Sequence, residues 1–333
     1  MMDLKQMIGN EGTLDYVRRA LAGHKISHAY LIDGEDGSGK MTLAKAFARA
    51  LLCTAAGHVD ACGHCQSCLQ FDGGNHPDVI YVSHEKPALI SVAEVREQIV
   101  ETVEIKPYES AYKIYIVDEA DKMNEQAQNA LLKTLEEPPE YIVMMLLTDN
   151  LSRILPTIRS RSAGISMKPV SVPDIETYLE TRKQIPEDTA RLAAQFSQGN
   201  VGRAIRFASS DTFTQRREGI IQILRTLQEM TMQEQLYSVK ELSEQKTDIT
   251  DCLDFMILWY RDVLMFKVTR DANQLLYKDQ LKYISRQASQ ISYEGAENCL
   301  AAIEKAKVRL KANVNFDLTM ELMLLTLREN GIS

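Results

Sequence analysis

One segment constrains this chain more than any other: Gly34-Glu35-Asp36-Gly37-Ser38-Gly39-Lys40-Met41. It follows a short apolar run, Ala29–Asp33, and opens a stretch of helical periodicity, Leu43–Leu52. Glycines in this pattern let backbone amides wrap an anion, the helix N-terminus adds its positive end, and a lysine reaches the outer phosphates. Gly34, Gly37, Gly39 and Lys40 are therefore the candidate phosphate contacts, with ATP or ADP as the ligand. A chance glycine turn would rarely supply strand, helix, lysine and spacing together.

The surrounding sequence agrees. Through about residue 165, short apolar runs alternate with helical patterns, as in a parallel α/β sheet. The expected strands are Ala29–Asp33, Val79–Val82, Lys113–Val117, Tyr141–Thr148 and Gly164–Met167, with helices at Leu43–Leu52, Val92–Glu101 and Asn124–Glu136. Pro138-Pro139 must stop the last of these helices. The strand at 113–117 ends in Asp118-Glu119, where Asp118 would face Mg²⁺ and Glu119 would orient an attacking water. One position departs from the pattern: Met41 stands where a hydroxyl residue would bind Mg²⁺, and a thioether is a poor ligand for a hard cation. Thr42 follows, but one helical step rotates a side chain by about 100°, so its hydroxyl is expected to face elsewhere. The loop can still cradle phosphates, while Mg²⁺ and hydrolysis are poor expectations.

Four of the six cysteines, Cys53, Cys62, Cys65 and Cys68, are spaced C-x8-C-x2-C-x2-C. In a reducing compartment such clustering points to a metal rather than to disulfides. Four thiolates close a tetrahedral Zn²⁺ site with no open position, which makes it structural. His58, His64 and His76 lie near enough to substitute. A zinc knuckle gripping nucleic acid would need basic and aromatic neighbours that are missing here.

Beyond Pro169 the strand signals stop. Asp174–Arg182 and Asp188–Phe196 read as helices, the second closed by Gly199. Further on, Cys299, Ile303, Ala306 and Leu310, then Phe316, Met320, Met323 and Leu327, repeat at helical spacing. Leu253–Phe266 is apolar over most of a helical circumference, which fits either a buried core helix or a subunit interface. The net charge of −8 argues against tight DNA binding by the isolated chain. No apolar run is long enough for a bilayer and the first residues lack a signal peptide, so the cytoplasm is the expected compartment.

Together these residues resemble the clamp-loader family of AAA+ proteins, over the first 205 or so positions. His28-Ala29-Tyr30-Leu31 leads into the loop, the four-cysteine insertion follows the first helix, and Asn129-Ala130-Leu131-Leu132-Lys133-Thr134-Leu135-Glu136-Glu137-Pro138-Pro139 looks like the family signature. Leu155-Pro156-Thr157-Ile158-Arg159-Ser160-Arg161-Ser162 is similar to its S-R-C motif, with Ser162 in place of cysteine. The resemblance implies an α/β AAA+ core with a parallel sheet at 1–168 (zinc module at 53–68), a helical lid at 169–210, and an all-helical collar at 211–333. It further implies Arg161 as an arginine finger acting on a neighbouring subunit, Arg203 as the lid's phosphate sensor, and the first sensor among Thr148, Asp149 and Asn150. The implied assembly is a DNA polymerase III hetero-oligomer with gamma/tau and delta subunits, acting on a sliding clamp and primed DNA. Met41 and Gly74-Asn75-His76-Pro77-Asp78-Val79 favour a subunit with little ATPase activity of its own. The alternative is the gamma/tau-like motor, which should keep Thr after Lys40 and run on past the collar.

Overall fold

In the computed structural model, the described residues are 3–55, 59–84, 89–209, 213–231, 233–235, 237–238 and 249–330. They form two compact units, 1–206 and 207–333.

The first unit is built on strands β1 (Ala29–Asp33), β2 (Val79–Val82), β3 (Lys113–Val117), β4 (Ile142–Thr148) and β5 (Ala163–Ser166). They make one sheet in the order β2-β3-β4-β1-β5, with every pairing parallel. Because side chains alternate along a strand, β4 feeds both faces of the sheet. Val143, Met145 and Leu147 join a core containing Leu43, Phe47 and Leu52. Ile142, Met144 and Leu146 join a separate core with Leu131, Leu135 and Ile158. All seven β4 residues are buried, as expected for a central strand covered on both sides.

The helices of this unit are α1 (Glu11–Ala22), α2 (Lys40–Leu52), α3 (Gln66–Asp72), α4 (Val92–Val95, continued by a wider turn over Arg96–Val100), α5 (Glu125–Glu136) and α6 (Pro156–Arg159). Asn124 caps α5 by accepting the Ala127 amide at 2.8 Å. That helix ends at Glu136, one residue short of the prolines predicted to stop it, with Glu137 as its cap. Then come α7 (Val172–Lys183), α8 (Glu187–Phe196) and α9 (Val201–Ser209). Helix α7 begins two residues earlier than its apolar pattern suggested, because Ser171 caps it and Pro173 fits its first turn.

The second unit is helical throughout its described residues: α10 (Phe213–Thr226), α11 (Ile249–Thr269), α12 (Leu281–Gln290), α13 (Tyr293–Lys311) and α14 (Phe316–Asn330), with short turns between them. Of the two readings open for Leu253–Phe266, the core helix is the one observed. Leu253, Phe255, Met256, Leu258, Trp259, Tyr260 and Val263 are all buried within the chain. Two aromatic polar groups at the edge of this core are paired: Trp259 Nε1 donates to Gln287 at 2.7 Å and the Tyr277 hydroxyl to the Phe255 carbonyl at 2.8 Å. No helix among the described residues is long and apolar enough to cross a membrane.

Candidate functional site

The parallel sheet delivers three chain segments to one edge, the C-terminal ends of β1, β3 and β4, which is where α/β sheets bind ligands. A cleft of about 360 Å³ opens there. Gly37, Gly39, Lys40, Met41 and Thr42 line it from the loop, Asp118 and Glu119 from β3, and Thr148 and Asp149 from β4. Gly34 lies just outside this lining, at the start of the loop. The sequence-predicted loop and acid pair thus meet across one space.

Inside the cleft the groups are engaged. Lys40 Nζ folds back on the loop, donating to the carbonyls of Gly34 at 2.5 Å and Glu35 at 2.9 Å. Met41 packs against the core while also facing the cleft. Thr42, expected to face away, lines the cleft as well; side chains in a helix's first turn lean back toward its N-terminus. Asp118 accepts the Glu119 amide at 3.0 Å. Glu119 sits in the left-handed region (φ 50°), and its carboxylate pairs with Lys122 at 2.6 Å and His84 at 3.5 Å. Thr148 is fully buried and donates to Asp121 at 3.0 Å; Asn150 caps the turn at Ser152. Of Thr148, Asp149 and Asn150, the candidate first-sensor residues, Asp149 is the exposed one lining the cleft.

The start of α9 sits on the loop. The Gly202 amide donates to the Gly37 carbonyl at 2.8 Å, and Asn200 Nδ2 donates to the Asp36 carbonyl at 2.7 Å. Glycine is needed on both sides: a Cβ on Gly37 would lie 2.6 Å from Asn200 Oδ1, and one on Gly202 would lie 2.7 Å from Gly37 Cα. Arg203, the candidate phosphate sensor, lies 3.9 Å from Glu35, and its amide donates to Asn200 at 2.9 Å. Asn200 was overlooked in the sequence, since nothing in its local pattern marks contact with a loop 164 positions earlier. Arg161 is not among the cleft residues. It leaves the turn after α6 and pairs with Glu136 at 2.8 Å.

The four cysteines converge. Their sulfurs lie within 4.8 Å of one another, with Cys53–Cys65 and Cys62–Cys68 at 4.0 Å. A tetrahedral metal with bonds of about 2.3 Å would set these separations near 3.8 Å, so the donor set can hold a metal ion. Backbone amides of Cys62, Cys65 and Cys68 point at the sulfurs of Cys53, Cys62 and Cys65, at 3.3, 3.3 and 3.5 Å. Burial raises the Cys65 thiol pKa, but hydrogen bonds from Thr54 and the Cys68 amide outweigh it and bring it down to about 5. Two of the nearby histidines make other contacts. His64 Nδ1 is 2.9 Å from the Cys62 carbonyl, and His58 lies outside the described residues. His76 is buried between Ser67 and the Asp78 amide, and burial lowers its pKa. Asp78 in turn accepts the amides of Tyr108, Glu109 and Ser110, tying the module's flank to the sheet.

Comparison with known proteins fits this geometry. The family described as "DNA polymerase III, delta subunit" matches residues 9–171, and its C-terminal counterpart matches 211–329. DNA polymerase III subunit delta′ of Bacillus subtilis is 31% identical over 92% of this chain and 92% of its own length. This chain belongs to the DNA polymerase III delta′ family. It is a delta′ homologue of the clamp loader, with the AAA+ fold of that family. Subunit tau of Bacillus subtilis is also similar, 28% identical over 92% of this chain but only 58% of its own length. A gamma subunit-related protein of Thermotoga maritima is similar in structure, with a TM-score of 0.46 and 20% identity over 96% of this chain and 99% of its own. The similarity of this chain to tau and gamma sequences suggests a clamp-loader complex for this delta′ homologue.

Proposed function

We propose that this delta′ homologue serves its loader chiefly as a positioning subunit that acts on a neighbour's nucleotide rather than on its own. The observation that carries the reading is a separation: Arg161 stands outside the cleft that holds Lys40 and Asp118, while Met41 occupies the Mg²⁺-ligand position within it. An arginine that cannot serve its own site is free to serve another. The cleft supports phosphate binding through the loop amides and Lys40, with ATP or ADP as ligand. Five acids, Asp36, Asp118, Glu119, Asp121 and Asp149, line it against Lys40 and Lys122, which disfavours a triphosphate without its metal. Asp118 would be the remaining metal-facing carboxylate, Glu119 a weak or vestigial base, and Arg203 a phosphate sensor.

In this reading residues 1–168 form the AAA+ core, 169–210 the lid, and 211–333 the collar that joins gamma/tau and delta subunits. The four cysteines hold a structural Zn²⁺: an all-thiolate donor set suits a soft-tolerant metal and leaves no position for substrate. Sliding clamp and primed DNA are engaged by the assembled cytoplasmic machine.

The test is a pair of steady-state ATPase measurements on reconstituted loader, with and without clamp and primed DNA. An arginine finger contributes about 10³-fold or more in GTPases. Other sites turn over independently here, so Arg161→Ala is expected to lower the rate partially while leaving this chain's fold intact. Lys40→Ala should weaken this chain's own phosphate binding and spare most of the assembled rate. The reverse pattern, or robust hydrolysis by the isolated chain, would assign the activity to this chain's own cleft.

A further inference from the structure

Arg161 and Glu136 come from different elements. Glu136 is the last residue of α5, and Arg161 follows the Ser160 turn that closes α6. Their side chains meet at 2.8 Å, and Arg161 Nη1 also donates to the Thr157 carbonyl at 3.0 Å and approaches Ser160 Oγ at 3.5 Å. One guanidinium is thus gripped from two sides. These contacts account for three of its five N–H groups, and the side chain remains 36% exposed.

The location of Glu136 needs an explanation. A carboxylate in the last turn of a helix faces the negative end of the dipole and is disfavoured there. Pro138-Pro139 fix where α5 stops, so the acid sits at this point whatever its cost. Stability is a poor reason to keep it, because half-exposed ion pairs contribute little. What the pair does achieve is confinement. A free arginine samples many rotamers, and a group acting across an interface loses rate for each one that misses.

We propose that Glu136 is a positioning residue that presents Arg161 to the neighbouring subunit's nucleotide. The inference rests on the reading of Arg161 as a finger acting in trans, and its test separates the two. Reconstituted loader carrying Glu136→Ala should show a kcat about two- to fivefold lower, the shift an exposed pair can bias, with the KM for ATP unchanged. Glu136→Gln, which keeps the acceptor but not the charge, should fall between Ala and wild type. In an Arg161→Ala background, Glu136→Ala should cause no further loss, because the residue has nothing left to position. If Arg161→Ala slows the loader but Glu136→Ala is silent, faster, or additive with it, the positioning role is wrong and the finger stands. If Arg161→Ala is itself silent, both readings fall.

Discussion

The two ends of helix α2 invite comparison. Its N-terminus grows from the phosphate loop, with Gly39 as cap and Lys40 as first residue; its C-terminus is capped by Cys53, a member of the thiol cluster. Both ends carry a motif for a charged ligand. At the C-terminal end the donor set is complete: four sulfurs in one small volume, with backbone amides directed at three of them. At the N-terminal end the cradle is present, but a thioether stands at the hydroxyl position and Lys40 bonds the loop's own carbonyls. A phosphate loop owes its shape to glycines and its metal chemistry to a few side chains, so the shape can persist after the chemistry weakens. A four-thiol site has no such separation, because the ligands are the fold of the module.

That contrast predicts unequal consequences of mutation. The largest effect should follow Cys65→Ser. Wild-type protein never exposed to chelator should carry one Zn²⁺ per chain; the variant should lose it and become protease-sensitive around Leu51–Phe71, with the sheet intact. Well under one equivalent of metal in the wild type would remove the basis of the comparison.

Next comes Arg49, buried on α2 at 4% exposure and paired with Asp3 and with Asp72 at the end of α3. Both carboxylates remain partly exposed, which softens the usual penalty for orphaning a buried pair. Arg49→Met should therefore cost about 2 kcal/mol of unfolding free energy. Denaturant melts should show this loss while metal content stays at one equivalent. A variant that loses its zinc would mean that the ion pairs, rather than the thiols, set the module's geometry.

The smallest effect is expected from Met41→Thr. One added oxygen ligand should strengthen Mg²⁺-dependent ADP binding by about 1 kcal/mol, roughly fivefold. Titrations with and without Mg²⁺ read this directly. Wild-type binding already as Mg²⁺-dependent as the variant's would show that another group, such as Thr42, which also lines the cleft, supplies the missing oxygen.

Much of this was legible in the chain. The strands at 29–33, 79–82 and 113–117 lie where their apolar runs predicted, and α5 ends at its prolines. The cysteine spacing likewise foretold a cluster. These features are local: strand period, helix stop and ligand spacing are written in neighbouring residues. Thr42 lines the cleft as a residue, which a rotation angle taken alone does not foretell, because helical side chains lean toward the N-terminus.

What the sequence determined by itself, then, was the set of elements and the presence of two ligand motifs, since backbone geometry and spacing are properties of short segments. Only the tertiary structure decided which groups remain available. It sets Glu119 against His84, Thr148 against Asp121, Asn200 against the loop, and Arg161 against Glu136. Those choices depend on the order of strands in a parallel sheet, which brings distant segments to one edge. A hydrogen bond between residues far apart in sequence leaves no mark on the local pattern of either.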